Sequence, residues 1–262
     1  VVFALSLVAA PVLYAAIGMA GIFWMTAGLA IAAIGLVTHV VPAPPPPHPG
    51  PKVPFREVLF DVELLRLNFG IFTLHMIQMA MFVVVPGLLV AVGDLPVNAH
   101  WKIYLPVVLA SFVLMVPAIV IAERRHKLKA VFLVAVALLF GTEALFWGGR
   151  QSFPALVTAL LLFFVAFNIL EASLPSMISR VAPPRAKGAA LGVYNTTQAF
   201  GLFLGGALGG FLGRNFGPVA VFAFATGMAG LWLLVASGMK PPPIIATREL
   251  MIRAGLEPEE LR

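Results

Sequence analysis

The chain contains no cysteine. That excludes disulfides, thiolate catalysis and cysteine-ligated metals, and leaves the compartment open. Charge is scarce as well: 11% of residues are Asp, Glu, Lys or Arg, against roughly 25% in an ordinary soluble domain. No basic stretch precedes the hydrophobic run at Val1, so no cleavable signal peptide is read and the chain is expected to begin inside a helix. No nucleophile–base pair, metal-ligand cluster or phosphate-cradling loop stands at recognisable spacing. An enzyme is therefore not expected, nor a metal or other cofactor.

What is present is apolar: hydrophobic residues make up 61% of the 262. A soluble fold of this length could not hide that much apolar surface, so lipid has to be its solvent. A bilayer core about 30 Å thick takes about 20 helical residues to cross. The backbone must satisfy itself there, which leaves helices or closed barrels. The segments lack the apolar–polar alternation of barrel strands. The expected fold is all-α and polytopic, with about eight transmembrane helices near 1–17, 20–41, 68–93, 103–122, 130–149, 153–178, 188–213 and 217–238.

The formal charge of +6 is placed as a topology signal rather than a nucleic-acid surface. With eight spans, fourteen of the 17 Lys and Arg residues fall on one side and only Lys102, Arg150 and Arg214 on the other. The basic side is then cytoplasmic, with both termini there.

Between 42 and 67 lies the longest connection. Pro42 to Pro54 holds eight prolines in thirteen residues, which favours a stiff polyproline II spacer. Residues 55–67 follow, with Phe55, Val58, Leu59, Val62 and Leu65 on one helical face. Two readings stay open: a short interfacial helix, or an N-terminal extension of the next span. In the polar tail, 239–262, Thr247 is placed to cap a short helix over 248–254.

An ionisable group at mid-membrane costs roughly 3 kcal/mol on insertion scales, so such residues are usually paired or functional. Asn168 and Glu171 share a face, as do Asn68, His75 and Gln78, and Asn195 with Gln198 beside Tyr194. Each group either lines a proton or substrate pathway or clamps helices together. Glu143, a turn and a half from the outer end, either snorkels to the surface or joins that pathway. Gly201, Gly205, Gly209 and Gly213 recur at a spacing of four on one helix face, where small residues let another helix approach closely. That stripe reads as static packing or as a sliding surface. Glu123 sits at a helix C-terminus, against the dipole, with Arg124 and Arg125 next to it to offset the charge.

Four stretches carry a resemblance: LNFGIFTLHMIQMAMFVVVP (67–86), VPAIVIAERRHKLKAVF (116–132), FNILEASLPSMISR (167–180) and KGAALGVYNTTQAFGLFLGGALGGFL (187–212). Together they resemble the C-terminal half of a major facilitator superfamily transporter of the YajR-like drug-efflux branch. The resemblance implies that residues 1–41 are the last two helices of an N-terminal half. Residues 42–67 would be the cytoplasmic linker, 68–238 the six-helix C-terminal half, and 239–262 a cytoplasmic tail. The fold implied lacks the first four of twelve helices, and the substrate cavity would require them. The segment 122–129 resembles the family's gating motif, which gives Glu123, Arg124 and Arg125 a cytoplasmic gate role. The implied function is secondary transport of a small organic solute across the bacterial inner membrane, as proton-coupled efflux. On this reading Glu171 or His75 carries the proton, and Asn168, Gln78, Asn195 and Gln198 meet the solute. The alternative is a membrane structural or partner-binding subunit that transports nothing by itself. Ala10-Pro11-Val12-Leu13-Tyr14 departs from the Gly-Pro and paired glycines usual in the fifth helix of proton antiporters.

Overall fold

A computed structural model describes residues 2–42 and 53–242. Its helices are α1 (Val2–His39), α2 (Phe55–Phe60), α3 (Val62–Gly93), α4 (Trp101–Arg124), α5 (Leu128–Gly149), α6 (Phe153–Val181) and α7 (Lys187–Ser237). Short 3₁₀ turns at Val97–Ala99 and Pro184–Ala186 lead into α4 and α7. The polyproline spacer falls largely on 43–52 and the expected tail helix on 248–254, both outside the described residues.

The segment 55–67 does not form one helix. Asp61 takes an extended ψ of 124° and ends α2. Its carboxylate then accepts from the backbone N–H groups of Glu63 and Leu64, both at 2.9 Å, and so caps the start of α3. Of the expected apolar face, Val58 is buried, while Phe55, Val62 and Leu65 remain exposed.

The expectation of about eight membrane-spanning helices is corrected. Among the described residues, six helices are long and apolar enough to cross a membrane. The number falls because two expected boundaries contain no loop. Gly18, with φ 64°, lies within the 38-residue α1, and Gly217, with φ 77°, lies within the 51-residue α7. A left-handed φ is open to glycine without the steric cost a Cβ would add. Pro218 follows Gly217 and needs no hydrogen bond from its nitrogen. One glycine therefore redirects the chain where the hydropathy pattern calls for a connection.

The packing of α7 against α3 fixes the direction of each arm. Before the break, Gly201, Gly205, Gly209 and Gly213 lie against Phe72, Met76, Ala80 and Val84 in rising order, so this arm runs parallel to α3. Past the break, Trp232 lies against Gly70 and Gly238 against Arg66, so the second arm runs back. The core forms among α3, α5, α6 and this second arm. Phe146 stacks on Phe222 at 5.3 Å and Phe132 meets Trp232 edge-on at 6.0 Å.

These directions also sort the basic residues. Helices α4 and α6 are parallel, since Ser111 meets Asn168 and Glu123 meets Arg180. Because α7 starts where α6 ends and its first arm parallels α3, four points share one face: the start of α3, the end of α4, and both ends of α7. That face holds Arg56, Arg66, Arg124, Arg125, Lys127, Lys129, Arg180, Arg185, Lys187 and Lys240, while Lys102, Arg150 and Arg214 lie toward the other. In contrast to this packed body, no residue in the apolar window of α1, within Val12–His39, is buried by the chain.

Candidate functional site

Three helices bring polar groups together in the interior. From α3, His75 is 5% exposed. Its Nδ1 lies 3.2 Å from the carbonyl of Ile71, one turn earlier on the same helix. A carbonyl only accepts, so Nδ1 carries the hydrogen. The other ring nitrogen, Nε2, lies 2.8 Å from the side-chain amide nitrogen of Gln198 on α7. Helix α6 supplies Glu171, whose Oε2 is 3.8 Å from His75 Nε2, too far for a hydrogen bond but close enough to pair with an imidazolium. One turn before Glu171, Phe167 sets its edge against the His75 ring at 5.6 Å.

The Glu171 carboxyl has two environments. Its side chain is 38% exposed, yet Oε2 is sealed in without a hydrogen-bond partner among the described residues. Tyr194 on α7 is 3% exposed, lies within electrostatic reach of Glu171, and its hydroxyl also lacks a partner. One turn separates Tyr194 from Gln198, so a single face of α7 presents both. Unpaired polar atoms in a buried site cost free energy, commonly about 1–3 kcal/mol each. Two such atoms, Glu171 Oε2 and the Tyr194 hydroxyl, belong to neighbouring groups here.

A second polar contact crosses from α6 to α4. Asn168 donates to Ser111 Oγ at 2.8 Å, and Ser111 donates onward to the Val108 carbonyl at 2.7 Å. Gln78 is half-buried and Asn195 is exposed, so the shared-face pattern does not bring either into the His75 contact. Glu143 does not snorkel. It is fully buried in α5 with both carboxyl oxygens unpartnered among the described residues. It lies on the same face of α5 as the buried Val136, Leu139, Thr142 and Phe146, so that face carries it into the core.

At the basic end, Glu123 receives its ion pair from α6 and not from its neighbours in sequence. Arg180 Nη2 contacts both carboxylate oxygens, at 2.7 and 2.8 Å. Arg124 and Arg125 point outward and are exposed. The partner is missed in the sequence because it lies 57 positions away. The one local signal is the spacing of Ser176 and Arg180, which places Ser176 Oγ 3.2 Å from Arg180 Nε and steadies the guanidinium. Ser111 is missed for a similar reason: a lone serine in an apolar helix has no visible partner.

Membrane-length helices around a partly buried His–amide–carboxyl cluster define a polytopic membrane protein with a polar interior. The chain belongs to the Major Facilitator Superfamily, which it matches over residues 1–206 and 107–250. It is similar to the inner membrane transport protein YajR of Escherichia coli, with 40% identity over 265 residues, covering 99% of this chain and 58% of that protein. A transporter of Buchnera aphidicola subsp. Acyrthosiphon pisum is 26% identical over 211 residues, or 78% of this chain and 53% of the relative. One from Buchnera aphidicola subsp. Schizaphis graminum is 27% identical over 238 residues, or 88% and 61%. The chain thus spans about half the length of the curated relatives it matches.

Proposed function

We propose that the chain acts in secondary active transport, moving a small organic solute outward across the bacterial inner membrane by alternating access and in exchange for protons. The observation that carries this reading is the meeting of His75, Gln198 and Glu171 from three helices, in a protein of a transporter superfamily. His75 and Glu171 hold the transported proton between them. Asn168, Gln78, Asn195 and Gln198 order water or contact the solute as the cavity changes sides, and Glu143 is held in reserve as a buried acid of that half. The basic face is cytoplasmic by the positive-inside rule, with both ends of the chain on that side. The Glu123–Arg180 pair, with Arg124 and Arg125 beside it, closes the cytoplasmic end and opens when the helices part. The seam of Gly201, Gly205, Gly209 and Gly213 gives α7 a smooth track along α3. The lipid bilayer is the constant partner, and the solute cavity is completed by further helices of a carrier of the relatives' full length.

The test uses membrane vesicles holding a carrier of the relatives' full length that contains this chain. Candidate solutes are added under an imposed pH gradient, and proton movement is followed with a pH-sensitive dye. Wild-type protein should show solute-dependent proton flux that Glu171→Gln abolishes; flux unchanged in the variant contradicts the reading. The unburied flank of α1 favours a second reading, a membrane subunit that binds a partner and transports nothing. In that case no solute moves protons in either protein.

A further inference from the structure

We infer that Gln198 is a polarity switch read by His75: the amide edge it turns toward open space changes from acceptor to donor when His75 gains a proton. This rests on the reading of His75 and Glu171 as the coupling pair, and adds to it the class of solute that pair admits.

The argument begins with a constraint. Nδ1 of His75 is committed as a donor to the Ile71 carbonyl. A neutral ring therefore has a bare lone pair on Nε2, and the Gln198 amide meets it with an N–H, as the 2.8 Å contact requires. The amide oxygen of Gln198 then points away from the ring. Among the described residues it has no hydrogen-bond partner, and it is not one of the sealed, unsatisfied atoms, on a residue that is half-buried. In this state Gln198 offers the cavity an acceptor.

Protonation reverses the arrangement. A proton delivered by water along the half-exposed Glu171 side chain adds to the Nε2 lone pair, and no bond between heavy atoms changes. Two N–H groups cannot face each other at hydrogen-bond distance. A half-turn about the last torsion of Gln198 removes the conflict: the amide oxygen now accepts from Nε2–H, and the NH₂ group turns outward as a donor. Among the described residues, two titratable groups stand near the ring. Glu171 approaches from α6 at 3.8 Å, and Tyr194 on α7 lies within electrostatic reach of Glu171. The carboxylate balances the new imidazolium, so the protonated cluster is overall neutral and tolerable in the interior.

A solute exchanged for protons has to bind when His75 is neutral, and at that moment Gln198 shows its carbonyl. The solute class assigned is thus one bearing N–H or O–H donors where it meets α7, rather than one that offers only acceptors.

The experiment is solid-state NMR on the chain labelled at histidine and glutamine nitrogens, embedded in lipid bilayers and titrated from alkaline to acid. At alkaline pH, His75 should show a pyrrole-like Nδ1 and a pyridine-like Nε2. On acidification Nε2 should become pyrrole-like, and the Gln198 amide nitrogen should shift with the same midpoint. Gln198→Met should abolish any second titrating amide signal while His75 still titrates. Gln198→Glu, which in its ionised form only accepts, should keep His75 doubly protonated at pH values where the wild type is neutral. A neutral His75 with its hydrogen on Nε2, or a Gln198 signal indifferent to His75, overturns the switch. Solute-dependent proton flux with an indifferent Gln198 defeats the switch alone. A responsive Gln198 in a carrier without such flux defeats the transport reading and leaves the switch standing.

Discussion

The imidazole of His75 is gripped on both sides, by the Ile71 carbonyl at 3.2 Å and by Gln198 at 2.8 Å, so its charge state is tied to groups on two helices. Replacing Asn168 with Ala removes a cross-helix donor but leaves Ser111 its bond to Val108. The expected loss is about 0.6 kcal/mol and at most about 1.7, the range for hydrogen bonds between membrane helices, read as a small drop in thermal midpoint in detergent. The Glu123–Arg180 pair is partly exposed, with Glu123 side-chain exposure of 46%. Breaking it with Glu123→Gln should therefore cost under about 1 kcal/mol of stability. Spin labels placed on the ends of α4 and α6 should nonetheless report a wider mean separation, whereas an unchanged distance distribution would deny the pair a gating role. Much of this site could be read from residue spacing: His75, Gln198, Glu171 and Asn168 all stand out as polar residues in apolar helices. Spacing along one helix says nothing about which other helix faces it, and so Arg180 and Ser111 had to come from the structure. Glu143 shows the same limit, since distance from a helix end does not determine which way a side chain points.

At the scale of the element, the α3–α7 seam is set by the absence of side chains. A Cβ added to Gly201 or Gly205 would run into the backbone carbonyl of Phe72 or Met76, whereas one at Gly206 meets nothing. Gly205→Ala should destabilise by about 1–3 kcal/mol, the usual cost of overpacking, and Gly206→Ala should leave the thermal midpoint nearly unchanged. Equal effects of the two would show that the seam is loose. Gly217 tests a different property: its space is open but its φ is 77°. Gly217→Ala should cost about 1–3 kcal/mol from backbone strain alone, since φ 77° with ψ 177° is a conformation kept almost wholly to glycine. The fourfold glycine spacing was legible in the sequence, but its partner helix and the parallel direction of the contact were not. The eight expected spans became six long helices because the turns at Gly18 and Gly217 are each made by one glycine, with no loop between the two arms.

Taken whole, the molecule has two unlike faces. Ten basic residues among the described ones gather at one end of the bundle and three at the other, an imbalance that carries the proposed orientation and holds the Glu123–Arg180 contact in a cationic surround. The chain's lack of cysteine makes the decisive measurement direct. Single cysteines introduced as His126→Cys, in the α4–α5 turn, and Gln151→Cys, in the α5–α6 turn, would be probed in intact cells with a membrane-impermeant maleimide. Gln151→Cys should be labelled from outside, and His126→Cys only after the inner membrane is opened. Labelling of both positions from the same side, or of His126→Cys from outside, would contradict the arrangement on which the proposed transport depends.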